Sequence, residues 1–339
     1  MVLGLSGVVS IVSGLATGKS METLELTEFP NMPFLYWLAV AGAVVKPKWT
    51  DQKWPALKVS MTTPTPIEPK RLKTFKALAA WPDSSSSSSV PMMFLMAESF
   101  KLVMQVLTLP SFPVSVLGTV VNKRAAYSYL RKVDAAESLT YSCTLNPAVR
   151  ETFSGHAEFD LMLEAVSESK GDVVWQAVLS LVLMNPKKGK GGKKEGGAAP
   201  AKPAEEEVAG EEFDTWVLPE NTGRAYAALD GDISPMHLYK ATAMLMGFPS
   251  PVANVHLLAA RTEASVAAKK AAAGEPSAPF SLALEFKKPT LLPNRLALSG
   301  GGAFAKDAAA GGYKLRIDDK KGKPIAAGTV SSKATLTRF

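Results

Sequence analysis

The chain has 339 residues, 47% hydrophobic and 20% charged, with a formal net charge of +7 at pH 7. That composition is globular and long enough for two domains with a core in each, which excludes a mainly disordered chain. The basic residues show no helix-turn-helix spacing, paired Cys/His zinc pattern or RNP-like aromatic strand, so no nucleic-acid partner is expected.

Val2 to Gly18 is apolar and uncharged, without the basic start of a signal peptide or the Arg-rich pattern of a transit peptide. Two readings stay open there: a first element packed on the body, or a cleaved or membrane-associated leader. Pro33 to Val45 is a second apolar run, short for a bilayer crossing and read as buried or interfacial. Lys46 to Pro82 is rich in Pro and Lys and reads as loop or linker, followed by the homopolymer Ser84 to Ser89. Its cluster of Lys46, Lys48, Lys53, Lys58, Lys70, Arg71, Lys73 and Lys76 reads as a solvated basic face, with attraction of a phosphorylated cofactor or an acidic carrier protein as the alternative. Residues 1–90 thus form an N-terminal extension.

Met92 to Leu107 is apolar on most faces and has no breaker, so a buried helix is expected, interrupted at Pro110 to Pro113 and resumed from Val116 to about Lys132. Ser138 to Leu145, Ser154 to Ala165 and Val173 to Met184 read as antiparallel strands, the last apolar enough to lie in mid-sheet. Cys143, the single cysteine, reads as a small buried hydrophobe; it is compatible with a reducing, intracellular compartment and indicates no organelle. Residues 186–212 pass from a Lys/Gly block through Ala/Pro to a run of glutamates, the composition of a flexible linker spanning on the order of 25–30 Å.

Beyond the linker, Leu238, Ala241, Thr242, Leu245 and Met246 have the spacing of one helix face, ended by Gly247. Val252, Val255, His256, Ala259 and Ala260 form a further face, and Ser265 to Gly274 is an Ala/Lys-rich helix. Strands follow at Pro279 to Phe286, Leu291 to Leu298, Gly312 to Ile317 and Ile325 to Leu336, with a hairpin turn over Asp318 to Lys323. Phe112-Pro113 and Phe248-Pro249 each precede an apolar run of similar length, which suggests a tandem duplication.

The chemistry concentrates between Thr222 and His237, where Asp230, Asp232 and His237 surround a turn at Gly231. Placed at a helix start, His237 is kept neutral and able to accept a proton. Asp before a helix is also ordinary N-cap chemistry, so spacing alone leaves Asp232 as either a cap or an acid/base group. His156, in a strand-like run, and His256, on an apolar helix face, read as structural.

The stretch Tyr226-Ala-Ala-Leu-Asp-Gly-Asp-Ile-Ser-Pro-Met-His237 resembles the hydratase motif of MaoC-like hot-dog proteins, the R-specific enoyl-CoA hydratases and 3-hydroxyacyl dehydratases, whose pattern is Tyr-Ala-x-x-Ser-Gly-Asp-x-Asn-Pro-Ile-His. Gly247-Phe-Pro-Ser-Pro-Val-Ala253 is similar to the Gly-Phe-x-x-Pro-Ile segment of the same proteins, and Phe286-Lys-Lys-Pro289 to their late strand. The resemblance implies an α+β fold, a tandem (double) hot-dog in which each curved antiparallel sheet wraps a long central helix. Residues 91–185 would be a degenerate first hot dog and residues 213–339 the one carrying the motif. It implies a hydro-lyase of fatty-acid metabolism, hydrating enoyl thioesters or dehydrating 3-hydroxyacyl thioesters, with Asp232 and His237 as acid/base dyad. Gly231, Ser234, Asn254 and Val255 would form the substrate-binding or oxyanion region, and Asp230, at the family's Ser position, would be a turn residue.

The chain departs from the pattern in having Ser234 for Asn, and Asn254-Val255 where the family has His-Gly. The region read as matching in the first half, Leu117 to Asn122, has no Asp/His pair. The implied partner is an acyl-CoA or an acyl-carrier protein, with no metal or redox cofactor. The alternative is a non-catalytic acyl-thioester binding or scaffold protein retaining a relic motif. A homodimer, and peripheral membrane contact through the N-terminal apolar segments, are both compatible with the sequence.

Overall fold

The computed structural model describes residues 7–13, 20–50, 52–63, 66–82, 89–117, 120–152, 154–185, 210–274, 278–301, 313–334 and 336. Strand β1 (Gly7–Ser13) pairs antiparallel with β2 (Ser20–Leu26), and β2 runs parallel to β3 (Ala56–Thr62). The remainder of the Val2 to Gly18 run lies outside the described residues. Between β2 and β3 comes α1 (Met32–Val45), started by Asn31, whose side chain accepts the Phe34 N–H at 3.0 Å, with proline in the first turn. It buries Met32, Leu35, Ala39 and Gly42 and leaves Trp37, Val40, Val44 and Val45 exposed. Leu57, Val59 and Met61 point inward along β3, and α2 (Pro69–Ala79) buries Leu72, Phe75 and Ala79. Lys46 to Pro82 is therefore not loop or linker. Lys58 of β3 and Lys70, Lys73 and Lys76 of α2 sit off the buried faces of two short amphipathic elements, where they dilute the apolar pattern. The described part of the expected extension supplies strands to the first half's own sheet.

The breaker-free run forms α3 (Met92–Thr108), buried at every position but Lys101. Such a helix belongs at the centre of a layer, with sheet around it. After it, the expected continuation of helix from Val116 to Lys132 is instead β4 (Val120–Tyr129). Ala125 to Tyr129 are buried consecutively, so neither face alternates and the run imitates a buried helix. The strands β5 (Leu139–Leu145), β6 (Arg150–Glu151), β7 (Ala157–Ser167) and β8 (Val173–Leu183) follow, and β8 lies between β7 and β4 as its apolar sequence required. Cys143 is buried in β5, and burial pushes its thiol pKa up, away from reactivity.

The linker expected at 186–212 falls outside the described residues as far as 209. Its last two glutamates, Glu211 and Glu212, open β9 (Glu211–Leu218). Then come α4 (Thr222–Asp230), α5 (Pro235–Leu238), α6 (Lys240–Leu245), α7 (Val255–Ala272), β10 (Phe280–Phe286), β11 (Asn294–Gly301), β12 (Tyr313–Asp319) and β13 (Pro324–Ser331). The single helix expected after His237 is replaced by α5 and α6. Its supposed inner face stays open, with Leu245 86% exposed and only Ala243 of α6 buried.

The strand order is β1-β2-β3-β5-β7-β8-β4-β10-β13-β12-β11-β9, all antiparallel except β2 with β3. From β3 to β4 and from β9 to β10 the order is the same read from opposite ends, so two like halves join edge to edge through β4 and β10, with Ala126 opposite Ala283. The duplication is thus present, but in a different register from the Phe-Pro pair. The counterpart of α7 is α3, since each precedes the strand at the junction. Leu117 to Asn122 is not the first half's version of the site; the start of α3 is. There Pro91 offers no side-chain cap, and Glu263, reaching over from α7, accepts the N–H groups of Met92 and Met93 at 2.7 and 2.8 Å. Among the described residues no helix is long and apolar enough to cross a membrane.

Candidate active site

The motif begins on α4, which Gly231 ends in a left-handed conformation at φ +84°. No larger residue fits there, because a Cβ would lie 2.6 Å from the Met32 side chain of α1. Two successive turns then aim the next carboxylate: Asp230 Oδ1 accepts the Asp232 N–H at 2.8 Å, and Asp232 Oδ1 accepts the Ser234 N–H at 3.1 Å. Pro235 opens α5, a single turn that includes His237. Its position is fixed from behind by Gly223 of α4, where a Cβ would meet the His237 carbonyl oxygen at 2.1 Å.

The histidine's tautomer follows from its neighbour. Nδ1 lies 2.7 Å from the Val252 carbonyl oxygen, which can only accept, so Nδ1 carries the proton and Nε2 of the neutral ring is a bare acceptor. Nε2 lies 3.5 Å from Asp232 Oδ2. The structure therefore brings Asp232 and His237 together, 6% and 9% exposed respectively.

Asn254 is part of the same cluster. Its Oδ1 accepts the His256 N–H at 2.8 Å and caps α7, while its Nδ2 donates to Asp232 Oδ2 at 2.7 Å. The helix start beside the carboxylate is thus held to it by one side chain. Val255 is the first residue of α7; its side chain lines the cavity, and its N–H has no acceptor among the described residues, as expected in a helix's first turn. Ser234 lines the cavity too. Gly231 acts through the turn rather than through contact with the cavity.

Three further residues were not legible as site residues. Tyr36, on α1, donates its hydroxyl to Asp232 Oδ1 at 2.5 Å and lies 3.1 Å from Ser234 Oγ. Burial first, then the Asp232 charge, raises its pKa and keeps it a neutral donor. A tyrosine in an apolar helix was the only signal, and nothing in the sequence links it to a partner 196 positions away. Asp230 is a turn residue as expected, but it is also fully buried, and its Oδ2 has no partner among the described residues. Burial and the neighbouring Asp232 hold its pKa well above the usual carboxylate range. His256 lines the cavity with Nδ1 3.0 Å from the Tyr127 hydroxyl, and burial pushes its pKa down to about 4, so the ring is neutral. His156 accepts the Asn185 N–H at 3.1 Å, a structural contact.

The cluster opens into a cavity of about 380 Å³. One wall belongs to the first half: Phe100, Met104 and Leu107 of α3, with Val120 of β4 and Leu179 and Leu181 of β8. Lys123, Lys287 and Lys288 also line it, Lys123 paired with Glu285 and Lys288 with Asp319. Among the described residues no group of three His, Cys, Asp or Glu side chains is placed to hold a metal ion.

No family model matches the sequence, and neither does any curated protein. Solved structures do match. HtdX of Mycobacterium tuberculosis superposes with a TM-score of 0.62 at 22% identity, over 80% of this chain and 99% of that one. A MaoC-like dehydratase from Phytophthora capsici superposes with a TM-score of 0.61 at 14% identity, over 87% and 99%. The peroxisomal multifunctional enzyme type 2 from Drosophila melanogaster gives 0.56 at 15% identity, over 81% of this chain and 48% of that one. At these identities the likeness is one of fold, and it agrees with the strand order and paired central helices described above: the chain has the double hot-dog fold of the MaoC-like dehydratases.

Proposed function

We propose that the protein is a hydro-lyase of fatty-acid metabolism that adds water to enoyl thioesters, or removes it from 3-hydroxyacyl thioesters, linked to CoA or to an acyl-carrier protein. The observation that carries this reading is the facing pair of His237 Nε2 and Asp232 Oδ2, 3.5 Å apart at the head of an apolar cavity. A water in contact with both acceptors gives a proton to the dyad as its oxygen forms the bond to C3. The C2–C3 π pair moves toward C2 and the thioester carbonyl, and the dyad returns a proton to C2; elimination is the reverse. Charge builds on the thioester oxygen, and in this reading the Val255 N–H, in the first turn of α7, donates to it. The acyl chain would run along the α3 wall, so the first half shapes the substrate tunnel while the second half supplies the dyad. No cofactor enters these steps.

One observation favours a second reading. Asn254 Nδ2 already occupies Asp232 Oδ2, as it would in a site that binds thioesters without turning them over. Purified protein assayed against short, medium and long trans-2-enoyl-CoA, and against the carrier-linked forms, separates the two. The hydratase reading expects hydration, strongest for chains that fill the cavity. Binding without turnover at every length would support the scaffold.

A further inference from the structure

Resting on the acid/base reading of Asp232, we infer that Tyr36 is a positioning residue of the site, contributed by the first half: its phenol holds Asp232 Oδ1 and leaves Oδ2 as the oxygen that works with His237.

The hydrogen-bond pattern around the carboxylate is asymmetric. Oδ1 takes two donors, the Tyr36 hydroxyl and the Ser234 N–H. Oδ2 takes the Asn254 amide and faces Nε2. With Oδ1 fastened on both sides, the carboxylate plane cannot turn about its Cβ–Cγ bond, and the acceptor direction of Oδ2 is fixed. The same helix locks the turn that carries the carboxylate, because Met32, one turn before Tyr36, packs against Gly231. Position and orientation of Asp232 therefore depend on one element, α1, that lies far from the motif in sequence. That element has a second feature of a part built for placement: its start is capped by Asn31, which fixes where the first turns sit.

A donor on a carboxylate favours its charged form. Losing the phenol removes one of the two donors on Oδ1, so the carboxylate gains freedom to rotate about its Cβ–Cγ bond. The other titratable groups facing it are Asp230 at the end of α4, His237 on α5 and His256 on α7, and Tyr226 of α4 adds a buried neutral phenol nearby. Lys101 of α3 reaches this group through Asp230. None of these is altered by a Tyr36→Phe change, which keeps the ring and its packing.

The test uses the full chain carrying Tyr36→Phe, assayed for kcat and KM over pH with an enoyl-CoA of cavity-filling length. In parallel, carbon-detected NMR records the Asp232 carboxyl resonance, assigned by its loss in Asp232→Asn. Expected are a KM within about twofold of wild type, a kcat lower by roughly ten- to a hundredfold, and a displaced Asp232 carboxyl resonance. Incorporation of 3-fluorotyrosine at position 36, which keeps ring and hydroxyl but donates more strongly, moves the carboxyl resonance the opposite way and serves if Tyr36→Phe does not fold. An unchanged Asp232 carboxyl resonance in either variant overturns the inference. If wild-type protein turns over no enoyl thioester, the hydratase reading fails while the NMR comparison still decides the role of Tyr36.

Discussion

Glu263 is fully enclosed in α7 yet serves α3, and its replacement tests how the two halves are held together. Its two carboxylate oxygens accept the N–H groups of Met92 and Met93 at the start of α3, which has no other side-chain cap. Burial pushes its pKa from 4.5 to about 8, against the opposing pull of those two N–H groups. The folded chain thus binds this proton more tightly than the unfolded chain. The contribution to stability is fully present below about pH 4.5 and is lost as pH rises through 8, worth up to about 5 kcal/mol at 1.36 kcal/mol per pH unit. A Glu263→Gln change keeps one acceptor and turns the amide NH2 toward the other N–H, costing about 1–3 kcal/mol at pH 5. The variant cannot ionise, however, so it escapes the loss at higher pH. Urea unfolding of both proteins at intervals from pH 5 to 9 should show the wild-type advantage shrinking by about 1.4 kcal/mol per pH unit, reversing between about pH 6 and 7.5 and levelling off above about pH 8. A difference that stays constant with pH would refute the reasoning.

Gly223→Ala drives a methyl group into the His237 carbonyl and displaces α5; enoyl-CoA hydration should fall by more than about tenfold, a cost typical of misplaced catalytic groups, and steady-state kinetics would show it in kcat. Asn254→Ala removes the cap of α7 and should lower stability by about 1 kcal/mol in thermal unfolding, while taking the amide donor from Asp232 Oδ2 and so lowering kcat. Met104→Trp adds bulk to the α3 wall of the cavity; a chain-length series should retain short enoyl-CoA and lose the long ones.

Where an element alternates, or is too long and unbroken for a strand, the sequence was readable. The strands from Ser138 to Met184 and from Pro279 onward alternate or stay apolar between clear turn signals, and α3 carries no breaker, so their types and approximate limits were plain. β4 was misread because burial on both faces at the junction erases the period of two, leaving an apolar run that fits a helix equally well. The repeat was sensed from Phe112-Pro113 and Phe248-Pro249, but local spacing cannot tell which helix precedes a junction strand; only the pairing of β4 with β10 can. Leu245 sits at a helical spacing and faces solvent, so its apolar character misled the reading of α6. In the candidate site, the closeness of Asp232 and His237 was legible because a turn and a short helix hold them within a few residues of each other, while their role as a dyad came from the resemblance to the hydratase motif. Tyr36 was not, because its hydrogen bond closes over 196 positions. Asn254 was noticed as a departure from the family pattern; that its amide reaches Asp232 depends on where the start of α7 lies relative to the α4 turn, which is a property of the fold.

The central claim is that Asp232 and His237 together move the proton of a water at an enoyl thioester. It is tested most directly by following loss of the conjugated thioester absorbance of an enoyl-CoA with wild-type protein, Asp232→Asn and His237→Ala, each shown to be folded and to bind the product thioester. Wild type should hydrate the substrate, and each variant should lose at least about a hundredfold in kcat, with little further loss when both are combined, since the two groups act as a unit. Turnover by either variant at the wild-type rate would contradict it.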